Sequence, residues 1–258
     1  MQEQPVIKPL GSPFIELSSV DSTNNYALAL IRKGEATHGA AFFTHEQTAG
    51  KGQMGRQWKS EKGANIALSV VIQPHFLLLS RQFQLSACIA VAAREFLKPF
   101  IIDDELFIKW PNDLYWKNRK IGGILIENIV SSNPVAAAWQ YAVAGIGLNI
   151  NQSLFPDELA NPVSLKQITG KHFDTVALAK ELCKSLENYF TLLRLEGFEK
   201  ICTLYNTSLY KRNETVKLKK GAIQFTTTIQ KVSESGQLIT NNGSMTEEFS
   251  FGEISWIL

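Results

Sequence analysis

A chain of 258 residues with 45% hydrophobic and 19% charged side chains has the composition of a globular protein, with room for one large domain and one small domain. A formal net charge of +2 provides no strong attraction to DNA or to a membrane surface, and no apolar run approaches the roughly 20 residues that span a bilayer. The first ten residues lack the pattern of a signal peptide. Three widely spaced cysteines favour reduced thiols and a cytoplasmic location.

The elements predicted for the first two thirds of the chain alternate between helices and strands. Asp21 and Ser22 are good capping residues, and they predict a helix that continues to Lys33. A long alanine-rich helix is predicted over residues 83–97, where Pro99 stops it. Strands are predicted at 40–44, 66–72, 106–110, 114–116, 120–129 and 140–150, and the fourth and fifth of them form a hairpin. This order is typical of a mixed sheet flanked by helices.

The last third changes from helices to short strands. Helices are predicted at 163–169, 175–195 and 198–209. Strands are predicted at 216–218, 223–229, 237–240 and 249–257, separated by glycine and asparagine turns. We therefore predict an α+β fold with a large domain in residues 1–210 and a small C-terminal β-barrel domain in residues 211–258.

Two stretches concentrate residues that suit an anionic ligand. The first is Gln47-Thr48-Ala49-Gly50-Lys51-Gly52-Gln53-Met54-Gly55-Arg56-Gln57-Trp58, where glycines allow backbone amides to approach an anion and the cations supply charge. The second is Lys109-Trp110-Pro111-Asn112-Asp113-Leu114, followed by Lys120 at the start of an apolar strand. A cation beside buried strands needs a partner, and a phosphate or carboxylate would provide one.

Each feature also has a simpler interpretation when taken alone. The glycine stretch is compatible with a surface loop, and it is not a P-loop because no Gly-Lys-Ser/Thr ends it. Lys109 and Lys120 are compatible with solvated lysines, and Asn112 and Asp113 with ordinary turn formers. The Gly145-Ile146-Gly147 run lacks the third glycine of a dinucleotide-binding fingerprint. The argument therefore depends on these features occurring together.

Taken together, the motifs resemble those of the bacterial biotin–protein ligases, also called biotin–acetyl-CoA-carboxylase ligases. That family has a glycine- and arginine-rich loop that ends in Arg-x-Trp, then Lys-Trp-Pro-Asn-Asp-Leu, then a lysine before a pair of small residues. This sequence has all three in that order, and 22–24 (Ser-Thr-Asn) and 145–149 (Gly-Ile-Gly-Leu-Asn) also match. The resemblance implies a biotin/lipoate ligase-like catalytic domain that converts biotin and ATP to biotinyl-5′-AMP. It also implies transfer of biotin to a lysine of a biotin carboxyl carrier protein domain of a biotin-dependent carboxylase.

The resemblance assigns a role to each matched residue. Ser22, Thr23 and Gln47 would bind the ureido ring of biotin. Gly122 and Gly123, which lack side chains, would let their strand pass close to biotin. The acyl-phosphate would be wrapped by Gly50, Lys51 and Gly52. The catalytic cations would be Lys120 at the carboxylate and α-phosphate, Lys109 at the phosphates and Arg56 at the ATP phosphates. The nucleotide side would be formed by Gln53, Trp58, Asn112 and Asn149, with Asp113 as the candidate Mg²⁺ ligand.

The chain departs from the family pattern at two places. Gln53 replaces the second arginine of the loop and Lys51 replaces the first, so one of the two charges is lost. Too few residues precede Ser22 for the helix-turn-helix domain that some members carry. We therefore expect a monofunctional enzyme, without DNA binding, that is a monomer or a weak homodimer.

Two alternatives remain open from the sequence. One is a lipoate– or octanoyl-protein ligase, which shares this fold and the same kind of acceptor. The other is a regulator that senses biotin without catalysis. The Lys-Trp-Pro-Asn-Asp-Leu stretch favours biotin over lipoate, and the presence of Arg56, Lys109 and Lys120 argues against a sensor that lacks activity.

Overall fold

A seven-stranded sheet forms the centre of the molecule. The structure, a computed structural model, describes residues 8–102, 104–131, 139–243 and 245–257. The strands in chain order are β1 (Phe14–Leu17), β2 (Ala41–Thr44), β3 (Ile66–Ile72), β4 (Leu106–Lys109), β5 (Asp113–Trp116), β6 (Arg119–Val130) and β7 (Trp139–Leu148). Across the sheet they run β1-β2-β3-β7-β6-β5-β4, and all pairs are antiparallel except β1 with β2. The six strands predicted for this region are confirmed, and β1 is an additional one.

Helices cover both faces of this sheet. They are α1 (Thr23–Arg32), α2 (Gln82–Leu97), α3 (Leu165–Thr169), α4 (Thr175–Glu196) and α5 (Glu199–Thr207). The α4 helix begins where the Asp174 carboxylate accepts hydrogen bonds from the backbone N–H groups of Val176 and Ala177, as its capping role predicts. The three cysteines lie in α2, α4 and α5 as free thiols. None of the helices in the described ranges is long and apolar enough to cross a membrane.

Strand alternation separates the two faces of the sheet. On β2, Phe43 belongs to the large core shared with α2 and α4, whereas its neighbour Phe42 packs with α1. On β3, Leu68 and Val70 face the large core, and Val71 faces α1. Because side chains on a strand alternate between faces, residues two apart from Val71 also lie on the α1 side. We call this side the site face.

A second sheet follows α5. Its strands are β8 (Thr215–Lys220), β9 (Ile223–Val232), β10 (Leu238–Asn241), β11 (Thr246–Phe249) and β12 (Ser255–Ile257), all antiparallel in the order β11-β10-β9-β8-β12. The β-barrel prediction was wrong about closure, because no ladder within the described residues joins β11 to β12. The last predicted strand, 249–257, is interrupted by a turn that contains Gly252 at φ 88°, so β12 is short and separate.

The C-terminal sheet shares its core with the rest of the molecule. Leu218 and Leu238 belong to the same buried cluster as α2 and α4. The Trp110 indole Nε1 donates a hydrogen bond of 2.9 Å to the carbonyl of Gly236. The side-chain amide of Asn206 at the end of α5 bonds both backbone groups of Val232, at 3.1 and 2.7 Å. These contacts fix the second sheet beside the strand end that carries Lys109.

Candidate active site

The candidate site follows one row of residues across five strands. The residues in register are Ala67, Gly147, Gly123, Asp113 and Lys109 on β3, β7, β6, β5 and β4. All belong to the site face by strand alternation. Two glycines at the middle of the row leave the backbone uncovered, so a ligand or another side chain can approach the sheet closely.

Trp58 occupies the space that one of these glycines leaves. A Cβ atom placed on Gly147 would lie only 2.5 Å from Cε2 of the Trp58 ring, so a side chain at this position would displace the indole. The Trp58 ring is also 5.9 Å from the Lys120 ammonium. Its Nε1 is buried and has no hydrogen-bond partner within the described part of the chain, which leaves a donor at the site.

The glycine loop, residues 48–58, is a small hairpin that carries Trp58 to this position. The Gly52 N–H donates to the Arg56 carbonyl at 2.7 Å, and the Trp58 N–H donates to the Gly50 carbonyl at 2.9 Å. A Cβ atom on Gly50 would meet the Trp58 carbonyl, so the closing bond requires glycine there. The tip is exposed at Met54, and the exposed Arg56 guanidinium makes no ion pair within the described ranges.

Lys120 and Asp113 form the ion pair at the centre of the site. The Lys120 Nζ lies 2.6 Å from Asp113 Oδ1, and both side chains are partly exposed, at 31% and 24%. Lys120 and Gly123 are adjacent, because a Cβ atom on Gly123 would lie 3.4 Å from the Lys120 Nζ. The ammonium therefore lies over the backbone of Gly123, and the partly exposed Lys120 side chain can be reached by a ligand.

Asp113 does not form a metal site by itself. Its carboxylate is engaged by Lys120, and no group of three or more His, Cys, Asp or Glu side chains in the described residues could hold a metal ion. Mg²⁺ prefers several oxygen ligands, of which a single paired carboxylate provides too few. The residues present thus do not fit a Mg²⁺ ion held by the protein alone.

Lys109 lies at the end of the row and is almost completely buried, with 8% of its surface exposed. Its ammonium donates a hydrogen bond of 3.2 Å to the Tyr115 hydroxyl and lies 4.8 and 5.3 Å from the ring centroids of Tyr115 and Trp256. Burial lowers the pKa of Lys109 to about 8, an effect that Asp113 opposes and that the charges of Lys120 and Arg56 reinforce.

Polar side chains at the start of α1 form a continuous chain of hydrogen bonds. The Thr23 N–H donates to Gln47 Oε1 at 2.9 Å, and the Ser69 hydroxyl lies 2.7 Å from Thr23 Oγ1 and 2.6 Å from Asn24 Oδ1. Asn24 Nδ2 donates to Glu127 Oε2 at 2.8 Å, and Glu127 Oε1 lies 3.4 Å from the Lys51 ammonium. This polar chain joins the beginning of the glycine loop to its cation. Ser22, also buried, caps the same helix end without a side-chain hydrogen bond.

The remaining predicted residues support the backbone around the row. Asn112 Nδ2 donates to the Ile124 carbonyl at 2.6 Å. Asn149 is buried, and its Nδ2 donates to the Val163 carbonyl at 3.1 Å, so the side chain joins the end of β7 to the segment before α3. Gly122 packs against the Leu148 side chain of the large core, so only Gly123 of the pair lies on the site face.

The sequence reasoning missed four residues that the structure adds to the site: Ser69, Tyr115, Glu127 and Trp256. Ser69 and Glu127 interrupt apolar strands, and a polar side chain within such a run was the available signal. Trp256 had no local signal, because it reaches Lys109 from a strand that lies far along the chain.

Comparison with known proteins identifies the family. A family model described as the biotin/lipoate A/B protein ligase family matches residues 16–149, more than half of the chain. The chain belongs to the biotin/lipoate A/B protein ligase family. Membership makes it a ligase, and it confirms the resemblance drawn from the motifs.

Relatives of this ligase include the bifunctional ligase/repressor BirA of Escherichia coli K12, which is 30% identical over 251 residues. That alignment covers 95% of this chain and 74% of BirA. The BirA protein of Bacillus subtilis is 29% identical over 201 residues, and this chain spans 60% of its length. The biotin–[acetyl-CoA-carboxylase] ligase of Mycobacterium tuberculosis is 30% identical over 174 residues, which cover 66% of this chain and 61% of that protein.

A solved structure supports the same fold assignment for this ligase. The biotin protein ligase of Aquifex aeolicus in complex with biotin and ATP superposes with a TM-score of 0.78 at 25% identity. The superposition covers 93% of this chain and 97% of the Aquifex chain, so it includes both sheets.

Proposed function

We propose that this ligase activates biotin with ATP and then transfers the biotinyl group to a lysine of a biotin carboxyl carrier protein domain of a biotin-dependent carboxylase. In the first step, a biotin carboxylate oxygen bonds to the α-phosphorus of ATP and pyrophosphate leaves, giving biotinyl-5′-AMP. In the second, the acceptor amine bonds to the acyl carbon and AMP leaves. The relatives named as biotin ligases and the Aquifex complex with biotin and ATP support this assignment.

The Lys120 ammonium carries the proposal. It is a partly exposed cation held by Asp113 at 2.6 Å, and it lies over Gly123, whose lack of a side chain lets the ammonium approach the sheet closely. Negative charge concentrates where a carboxylate meets the α-phosphate, and a preorganised cation stabilises the transition state there. Neither step needs a covalent enzyme nucleophile, so a site built from lysines, glycines and an arginine is sufficient.

The glycine loop has a protective role in this proposal. The mixed anhydride of the intermediate is open to hydrolysis, and water must therefore be kept from it. Trp58 lies over Gly147, and the same loop carries the partly exposed Lys51 ammonium, 3.4 Å from Glu127 Oε1. We assign to this loop the wrapping of the acyl-phosphate, and to Lys109 and Arg56 the phosphates of ATP. Mg²⁺ would enter with those phosphates as part of the substrate.

The polar chain at α1 favours biotin over lipoate or octanoate. Thr23 and Ser69 are buried polar side chains at 3% and 0% exposure, and Gln47 bonds the first of them. A ureido ring can exchange hydrogen bonds with such groups. The apolar tail of lipoate or octanoate has no donor or acceptor to exchange with them, so it would gain no such bonds.

Mass measurement of a carrier domain tests this function directly. The full chain is incubated with ATP and a biotin carboxyl carrier domain, with either biotin or lipoate in separate reactions. We expect the carrier to gain one biotinyl group and to remain unmodified with lipoate. A carrier modified only by lipoate would establish the alternative ligase. Binding of biotin without any modified carrier or released pyrophosphate would establish the non-catalytic sensor.

A further inference from the structure

Trp256 brings the C-terminal sheet into contact with the candidate active site. It lies on β12, where it is paired with Leu218 of β8, and its ring is 5.3 Å from the Lys109 ammonium. The Tyr210 ring, at the junction between α5 and β8, lies 5.8 Å from Trp256 and 5.1 Å from Tyr115. Two aromatic rings, those of Tyr115 and Trp256, thus lie against a lysine that comes from the central sheet, and Tyr210 contacts both rings.

The surroundings of Lys109 explain how a buried cation is kept there. Its exposure is 8%, and in the described residues it has no carboxylate within ion-pair distance. The Tyr115 hydroxyl accepts a hydrogen bond from the ammonium, at 3.2 Å. The faces of Tyr115 and Trp256 provide the remaining favourable electrostatic contact, because an aromatic face carries partial negative charge.

The indole N–H of Trp256 does not explain the position of its ring. Nε1 is buried and has no hydrogen-bond partner within the described part of the chain. A buried donor without a partner is unfavourable, so the ring must be stabilised by other contacts. The ring packs against the buried core cluster and against Tyr210, and it also contacts the ammonium of Lys109.

We propose that Trp256 is a positioning residue for catalysis. The C-terminal sheet places its ring over Lys109 and so holds the ammonium at the β4 end of the row of residues that crosses the five strands. The active site is then complete only when β12 is paired with β8. The arrangement of the rings around Lys109 is independent of the reaction, whereas the consequence for turnover rests on the proposed function.

Chemical labelling of the Lys109 amine tests the arrangement without any reaction. The full-length wild type and its Trp256→Ala, Trp256→Phe and Ile257→Ala variants are acylated with a trace amine reagent, and Lys109 is quantified by peptide mass spectrometry against exposed Lys184. We expect the rate of Lys109 labelling per neutral amine, obtained from a pH series, to rise about 10-fold in Trp256→Ala, because reagent reaches a formerly buried amine, and we expect the pKa of that amine to rise from about 8. Trp256→Phe keeps a ring, and Ile257 points to the opposite face of β12, so both should stay within about 2-fold of wild type.

Turnover of the same variants tests the positioning role. In a pyrophosphate-release assay, Trp256→Ala should lower kcat about 10-fold and leave the KM for biotin within about 2-fold, since only the far end of the row is disturbed. Trp256→Phe should recover most of the kcat. Labelling of Lys109 at the wild-type rate in Trp256→Ala would overturn the proposal. A normal kcat in a variant whose Lys109 labelling rate has risen about 10-fold would also overturn it.

Two further results distinguish failure of this proposal from failure of the proposed function and from unfolding of the variant. If wild type releases no pyrophosphate with biotin and ATP, the proposed function fails, and the labelling still decides whether Trp256 holds Lys109. If Trp256→Ala is unfolded at the assay temperature, Trp256→Leu replaces it, because leucine keeps apolar volume without an aromatic face. Labelling of Lys109 at the wild-type level in folded Trp256→Leu would overturn the role of the ring.

Discussion

Lys109 and Lys120 lie on the same face of one sheet, but their charges are stabilised in different ways. Lys120 is partly exposed and paired with Asp113 at 2.6 Å, so a carboxylate and solvent both contact its charge. Lys109 is 8% exposed, with aromatic rings in place of a carboxylate. A substitution at Lys120 should therefore change mainly catalysis, whereas a substitution at Lys109 should also change stability.

Lys120→Ala is expected to lower adenylate formation by roughly 10²-fold or more, because it removes a charge that acts on the transition state. ATP binding alone should weaken much less. The control is Lys184→Ala, which removes a lysine with the same 2.6 Å distance to its acidic partner, on the exposed side of α4. Pyrophosphate release by the Lys120 variant at nearly the rate of the control would contradict the assignment.

Lys109→Met is expected to raise the free energy of unfolding at pH 7, because it removes a buried ammonium and keeps an unbranched side chain. The folded pKa of about 8 lies below the value of 10.5 for an exposed lysine. Between these values the unfolded wild type binds more protons than the folded one, so its stability rises with pH. The advantage of the variant should be full below pH 8 and should shrink towards pH 10.5.

Urea titrations of wild type and Lys109→Met at about pH 7 and pH 10 measure this difference. Lys184→Met serves as the control, because it makes the same replacement at an exposed lysine of α4. An advantage that is the same at both pH values would show that Lys109 is not a buried cation whose charge is unfavourable in the folded state.

At the scale of elements, the glycine loop combines a hydrogen-bonded base with an exposed tip. Backbone hydrogen bonds close it between Gly50 and Trp58, and the polar chain ties its Lys51 to Glu127 at 3.4 Å. The Lys51 side chain is 41% exposed, so this ion pair is weak and its ammonium is available to another anion. Gln53 begins the 3-10 turn at the tip and carries no charge.

Lys51→Ala should release biotinyl-adenylate roughly 10-fold faster than wild type, because a charge-assisted hydrogen bond is worth about 1.5–3 kcal/mol. Gln53→Ala should accelerate release only several-fold, since a neutral hydrogen bond contributes about 0.5–1.5 kcal/mol. Gln53→Arg should slow release by restoring a second cation. The rates are measured on preformed adenylate chased with an excess of a biotin analogue. Faster release from Gln53→Ala than from Lys51→Ala would show that packing, not charge, holds the loop.

Periodicity predicted most elements because they bury one face or both. The alanine-rich α2 and the apolar run of β3 are visible in the sequence. β1 was missed because Phe-Ile-Glu-Leu is too short to show a period, and it becomes a strand by pairing with β2. The prediction of a closed barrel failed because closure depends on contacts between β11 and β12 that no local pattern specifies.

The site was predictable as a set of residues but not as an arrangement. Lys109, Asp113 and Lys120 were identified from neighbouring motifs, and the structure brings them together. Their common row, however, depends on the register of five strands, and a one-residue shift would turn each side chain to the other face. Trp256 joins the site only through a tertiary contact with Lys109, and no pattern near residue 256 indicates that contact.

At the scale of the whole molecule, the two sheets form one structural unit. The buried cluster that contains α2 and α4 continues into Leu218, Ile229 and Leu238 of the C-terminal sheet. A Cβ atom on Gly236 would lie 2.5 Å from the Phe83 ring of α2, so the turn before β10 packs tightly against the larger part. The boundary near residue 210 is therefore a change in architecture, and we do not expect it to divide the molecule into independent folding units.

We accordingly expect a single cooperative unfolding transition for the full chain. Separating the sheets would expose the shared core. It would also break the 2.9 Å hydrogen bond that the Trp110 indole N–H donates to the Gly236 carbonyl. Two probes measure the transition on the same urea series. Far-UV circular dichroism reports on the described helices, which lie before residue 210. The fluorescence of a Phe251→Trp variant, after subtraction of the wild-type fluorescence, reports on the exposed turn before β12. The two midpoints should coincide within error.

Disruption of the interface by Asn206→Ala, which removes both bonds to Val232, should lower both midpoints together. A lower urea midpoint for the added fluorescence alone would show that the C-terminal sheet unfolds independently, and Trp256 could then leave Lys109 while the larger part remained folded.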